Sequence, residues 1–222
     1  MLIITRYNED VSWIKNYDLD YIIYNKGDDL PDEYNWVKRE NIGDNQKDMF
    51  AFISENYDNL PDVLAFCQGN PYDHCKKETF DKLIYNKTLT RLEDYAGIVP
   101  AHALDGDGHY QESTDSGIIQ AMSMHLNKTC RYRSFDEYAH SIFEDYSHVN
   151  MLSFPPGSQV IFEKERALFY PRKFWQYING ILTEPHMVEG HVIERSIMLI
   201  LNNTYKAKAE FYPALATPHV GV

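Results

Sequence analysis

The sequence predicts an α/β fold in which a mostly parallel central sheet is flanked by helices, and three observations carry that prediction. Short apolar runs occur at Leu2–Thr5, Asp20–Tyr24 and Val63–Cys67. Between the second and third, Met49, Phe50, Ile53 and Tyr57 fall at helical spacing. Each apolar run ends in a polar cluster: Arg6–Asp10, Asn25–Gly27 and Gln68–His74. A β-(α)-β-α-β order is the pattern of a doubly wound parallel sheet. Ligands of such sheets collect at the carboxyl ends of the strands, where these three clusters stand.

Taken in order, Leu2–Thr5 reads as a buried strand, and Val11–Lys15 begins a helix after the polar break. The second strand closes at the turn signal Asn25-Lys26-Gly27. Lys47–Tyr57 is a helix, Leu60-Pro61 a break, and Val63–Cys67 the third strand. From Phe80 to Gly108 the pattern weakens, and Asp105–His109 reads as a loop. Asp115–Leu126 and Ser134–Tyr146 have helical character. Gln159–Glu163 is a strand introduced by Pro155-Pro156-Gly157, and Pro171–Leu182 a helix with proline at its start. Val192–Leu201, the most apolar stretch, is a further helix. No repeat or low-complexity linker interrupts the chain, which reads as one domain over 1–208 with a tail over 209–222.

The net charge of −12 sets a field that repels nucleic acid and anionic membrane, so neither is an expected partner. It leaves room for a local basic pocket. Seventeen tyrosines suit stacking on sugars and bases, and equally suit a tyrosine-rich core. Cys67, Cys75 and Cys130 form no metal-ligand spacing, and their odd number fits free thiols in a reducing, cytoplasmic compartment. The opening Met1–Arg6 turns polar too early for a signal peptide, and no apolar run reaches the ~18 residues of a membrane span. An acceptor held in a membrane would be met at its surface.

Several blocks occur together in a recognisable order. They are Arg6-Tyr7-Asn8-Glu9-Asp10, Tyr24-Asn25-Lys26-Gly27, Asn41-Ile42-Gly43, Glu55–Val63, Gln68-Gly69-Asn70-Pro71-Tyr72-Asp73-His74 and His191-Val192-Ile193-Glu194-Arg195. In this the chain resembles a family of small proteins placed with the nucleotide-diphospho-sugar glycosyltransferases of the GT-A fold. The resemblance covers roughly residues 2 to 205, and the Gln68–His74 block is its most specific part. It departs from the family at Asp44-Asn45, where relatives carry Arg-Glu. It departs again at Gln68–Asp73, where GT-A transferases carry Asp-x-Asp.

The resemblance implies a single GT-A-like domain that moves a hexose or deoxyhexose from a UDP-, GDP- or dTDP-sugar donor to a glycan or lipid-linked acceptor. It lays Arg6, Tyr7, Asn8 and Glu9 along the base and ribose of the donor. It brings Asn25, Lys26, Gln68, Gly69 and Asn70 to the rest of the donor site. Charge on the leaving diphosphate is met by Mn²⁺ or Mg²⁺, or by Arg and Lys. Asp73 with Asn70 and His74 is one candidate metal seat, and Asp105-x-Asp107 with His109 is the other. Both stretches also have a plain explanation as turns. For the base that deprotonates the acceptor, the candidates are Glu194 and His191, three apart at the start of the last apolar helix. A charged residue among apolar neighbours is paired or functional, and a Glu194–Arg195 ion pair is the structural alternative. Two other classes stay open: a non-catalytic nucleotide- or glycan-binding module, and a metal-dependent hydrolase or nucleotidyltransferase.

Overall fold

The computed structural model describes residues 1–84, 101–103, 110–114 and 117–213. Its first half contains β1 (Leu2–Arg6), β2 (Tyr21–Asn25), β3 (Trp36–Lys38), α1 (Asp44–Glu55), β4 (Val63–Gln68), α2 (Lys77–Ile84), β5 (Ala101–Ala103) and β6 (Tyr110–Ser113). The second half contains α3 (Ile118–Leu126), α4 (Phe135–Ile142), β7 (Met151–Phe154), β8 (Val160–Glu163), α5 (Lys164–Leu168), α6 (Arg172–Ile181) and α7 (Val188–Leu201). The main sheet has the order β3-β2-β1-β4-β8-β5, and β6 pairs with β7 as a separate ribbon.

β1 is central and buried along its whole length, as a parallel strand covered on both faces must be. Its alternating side chains feed two cores. Ile3, Leu64, Phe66, Val160 and Phe162 face one cluster. Leu2, Ile4, Ala65, Cys67 and Ile161 face the other. This period of two is the ordinary consequence of strand geometry. The larger core lies under α1, α6 and α7, with Trp175, Tyr138, Tyr170 and Phe174 fully buried. The smaller core is walled by Trp13, Tyr17, Tyr72 and Phe80, which meet edge to face.

β1, β2, β3 and β4 run parallel, with Leu2 opposite Tyr21 on one side and Ala65 on the other. β8 runs antiparallel to both β4 and β5. The sheet is therefore mixed, and the expectation of a mostly parallel sheet holds only for its first four strands. Alternating hydrophobicity marks a strand but carries no direction, which is set by the path of the connecting chain. β3 is only three residues long and was hidden by its half-exposed pattern. The turn at Val11–Lys15 is a 3-10 helix over Ser12–Asn16. α4 begins one residue after Ser134, whose hydroxyl caps it by accepting from Glu137 N. Past residue 208, Phe211 is buried against Phe174 and Tyr177, so the packed chain continues through that point.

From β1 the chain order turns to β2 on one side and β4 on the other. That reversal opens a crevice at the carboxyl ends of the strands.

Candidate active site

A cleft of about 830 Å³ occupies this crevice. The strand ends give it Thr5, Tyr7 and Glu9 after β1, Lys26 after β2, and Gln68 and His74 after β4. The first turn of α1 supplies Asp44, Asn45 and Gln46. The opposite wall is made by Met122 and Leu126 of α3, Phe154 at the end of β7, and Gly190, His191, Glu194 and Arg195 of α7.

The residues expected to hold a donor divide into lining and scaffold. Tyr7 is 52% exposed and lines the cleft. Glu9 also lines it, with Oε2 accepting from Tyr7 N at 2.7 Å. Gly69 permits that arrangement, since a Cβ there would stand 2.8 Å from Glu9 Oε2. Arg6, Asn8 and Asn25 are absent from the lining and tie the loops behind it together. Arg6 Nη1 donates to Asn25 Oδ1 at 2.7 Å and to Asp28 O at 2.8 Å, and Asn8 Oδ1 accepts from Asp28 N at 2.7 Å. Lys26 reaches the lining, but its ammonium donates to Ile42 O and Asp44 O and pairs with Asp48 at 3.1 Å. Its three donors are thereby committed. Burial raises the Asp48 carboxyl to about 6, against the opposing pull of Lys26.

Gln68 lines the cleft and donates from Nε2 to Asn70 O at 2.9 Å. Asn70 and Asp73 lie just outside it and bond to each other, Nδ2 to Oδ1, at 2.6 Å. Asp73 Oδ2 receives Gln68 Nε2 at 3.4 Å. Side-chain amides thus meet both carboxylate oxygens, Gln68 only at 3.4 Å. Among the described residues, no three His, Cys, Asp or Glu side chains converge as metal ligands. Asp105 and Asp107, with His109, lie outside the described residues.

The predicted base candidates are both in the cleft. Glu194 is partly buried, its side chain 12% exposed, with Oε1 accepting from Gly157 N at 2.8 Å and Oε2 paired with Arg195 Nη1 at 2.8 Å. Burial pushes its carboxyl up to about 7, although Arg195 and the Gly157 amide pull the other way. The ion pair and the cleft position therefore coexist. Gly157 can present its amide because it holds φ +66, a conformation open to glycine, and a Cβ there would sit 2.8 Å from His74 Cδ2. His191 is held below the usual imidazole range by burial and then by Arg195. The Arg195 guanidinium also covers the Phe154 ring at 4.2 Å.

Sequence reasoning missed Asp44 and His186 as a pair. His186 Nδ1 meets Asp44 Oδ1 at 3.1 Å, and both residues line the cleft. Both have positive φ, 47° for Asp44 and 50° for His186. Such conformations cost on the order of 1–3 kcal/mol each and cluster at functional sites. The signal in the sequence was Asp44-Asn45, the position that departs from the resembling family. Asn45 Nδ2 donates to Gly157 O at 2.9 Å, so the departing residues help to build the cleft. The apolar wall of Met122, Leu126 and Phe154 gave no such signal, since its residue types equally suit a core.

These features define an α/β protein with a mixed sheet and a ligand-sized cleft at its topological switch point, holding one carboxylate poised near neutrality. The chain belongs to the family described as "Protein of unknown function (DUF3431)", whose model matches residues 1–212. No curated protein and no solved structure matches the chain. Among the described residues, no helix is long and apolar enough to cross a membrane.

Proposed function

We propose that the protein is a glycosyltransferase of GT-A type that moves a sugar from a nucleoside-diphosphate donor to an acceptor hydroxyl. The observation that carries this reading is the position of Glu194. A partly buried carboxyl, raised to about 7 by desolvation, stands in the cleft at the switch point of the sheet, where a general base near neutrality is most effective. The exposed Tyr7 ring offers a face for the nucleotide base, and Glu9 an acceptor for ribose hydroxyls. The acceptor enters along α7. Its hydroxyl proton passes to Glu194 as the oxygen bonds the anomeric carbon. The bond from that carbon to the diphosphate breaks, and its electron pair leaves with the diphosphate.

A single displacement of this kind needs no contact from Asp73, whose oxygens are occupied by Asn70 and Gln68. Assistance by Mn²⁺ or Mg²⁺ would rest on Asp105 and Asp107. The amide-filled Gln68–Asp73 turn also favours a second reading, a nucleotide- or glycan-binding module without catalysis.

Incubation with UDP-, GDP- and dTDP-hexoses, with and without Mn²⁺, separates the two. The transferase reading expects free nucleotide from one donor series, stimulated by an acceptor. Replacing Glu194 by Gln lowers that release about 10²–10⁴-fold, the usual worth of a general base. Nucleotide binding with no release from any donor sinks catalysis and leaves the module.

A further inference from the structure

Glu194 reaches the cleft from α7, but the amide that holds its Oε1 belongs to a separate turn, Pro156-Gly157-Ser158. This turn carries two successive residues in the left-handed region, Gly157 at φ 66 and Ser158 at φ 54. A left-handed serine costs free energy, so the turn keeps its shape only where its surroundings hold it. Ser158 N donates to Pro155 O at 3.0 Å within the turn. Behind it, the fully buried Gln159 donates from Nε2 to Pro71 O at 3.0 Å. On the cleft side, Asn45 Nδ2, from the first turn of α1, donates to Gly157 O at 2.9 Å.

Gly157 is thus gripped through both of its polar groups, its N–H by Glu194 and its C=O by Asn45. Rotation about its backbone would break one bond or the other. Asn45 is suited to this by chemistry. Its amide donates without carrying charge, so it bonds Gly157 O and approaches Gln68 Oε1 at 3.4 Å without adding to the titratable groups around Glu194. Those groups are Arg195 and His191 on α7, Asp44 at the start of α1, and His74, which lies against Gly157 from the loop after β4. An aspartate of the same shape at position 45 would face Gly157 O with acceptors only.

The geometry points to Asn45 as a positioning residue for Glu194, acting through the two polar groups of Gly157. Its consequence for turnover rests on the transferase reading above, and its consequence for the carboxyl itself does not. An N–H bonded to a carboxylate favours the charged form. With Asn45 in place, the Gly157 amide is kept on Oε1 and opposes the burial that raises the Glu194 carboxyl to about 7. Without it, Gly157 is free to turn its amide away, and the carboxyl holds its proton to higher pH. A base that ionises later is less available at neutral pH, so the pH profile of sugar transfer moves to the alkaline side. A side chain that only knit the fold together would change stability and leave the titration where it is.

The test uses the full chain labelled with ¹³C at glutamate Cδ, the Glu194 signal being assigned by its loss in Glu194→Gln. Its chemical shift is followed through a pH titration of the wild type and of Asn45→Leu, which fills similar space, adds no charge and cannot donate. The Glu194 midpoint is expected at about 7 in the wild type and roughly one pH unit higher in Asn45→Leu. Asn45→Gln, which keeps an amide donor on a longer arm, is expected to titrate closer to the wild type. If Asn45→Leu does not fold, Asn45→Ala is read in its place. Where a sugar donor turns over, nucleotide release by Asn45→Leu is expected to fall about 10-fold on the acid side of the profile and little on the alkaline side. A midpoint unchanged from the wild type, or Asn45→Gln shifted as far as Asn45→Leu, overturns this inference and leaves the transferase reading standing. If the midpoint moves but no UDP-, GDP- or dTDP-hexose releases nucleotide, the transferase reading falls and the placement of Asn45 stands.

Discussion

Replacing Glu194 by Gln tests the electrostatics of the cleft without any knowledge of substrate. The carboxyl is raised from 4.5 to about 7 by burial. Its folded value lies above its unfolded value, so the native state holds its proton after the unfolded chain has lost it. Stability from this group is fully present below about pH 4.5 and is lost as pH rises through about 7. At about 1.4 kcal/mol per pKa unit, the loss amounts to roughly 3 kcal/mol. Gln keeps one oxygen to accept from the Gly157 amide, replaces the oxygen facing Arg195 by an NH2 group, and does not titrate. Urea denaturation of both proteins from pH 4.5 to 8.5 isolates the effect. The wild type should lose roughly 3 kcal/mol relative to Glu194→Gln across that range, with most of the slope between pH 4.5 and 7. The same ionisation should raise wild-type turnover as pH passes through about 7. A difference between the two proteins that does not change with pH would refute the reasoning. It would mean that Arg195 and the Gly157 amide fully offset the desolvation.

Further predictions follow from single contacts. Gly157→Ala places a methyl 2.8 Å from His74 Cδ2 at φ +66, and should cost roughly 1–2 kcal/mol in urea unfolding while displacing the amide that holds Glu194. Lys26→Met leaves Asp48 buried without its partner and should destabilise by roughly 3–5 kcal/mol, whereas Lys26→Met with Asp48→Leu should recover most of that loss. Equal destabilisation by the single and double variants would show that Lys26 acts through Ile42 and Asp44 rather than through Asp48.

The sequence carried the first half of the fold well because that half is local. Apolar runs bounded by turn residues gave β1, β2 and β4, and helical spacing gave the body of α1. The reversal of β8 was not legible, because Val160–Glu163 alternates equally well in either direction and its partners β4 and β5 lie far away in the chain. In the site, a charged residue stranded among apolar ones was legible at Glu194, His191 was named for standing three residues before it, and both line the cleft. The roles of Arg6, Asn8 and Asn25 were not. Polar side chains at strand ends can face a ligand or one another, and here they bond to one another. Asp44 and His186 are 142 positions apart and meet only because Gly43 N, bonded to Glu184 O at 3.0 Å, brings the start of α1 to the loop before α7. No local pattern encodes such a meeting.

The central claim is that the cleft at the ends of β1 and β4 binds a nucleoside diphosphate. Calorimetric titration of the purified chain with UDP, GDP and dTDP, with and without Mn²⁺, tests it most directly. The account predicts saturable one-to-one binding of one nucleotide, weakened by Tyr7→Ala and unchanged by Asp73→Ala. Failure of a folded sample to bind any of the three would contradict it.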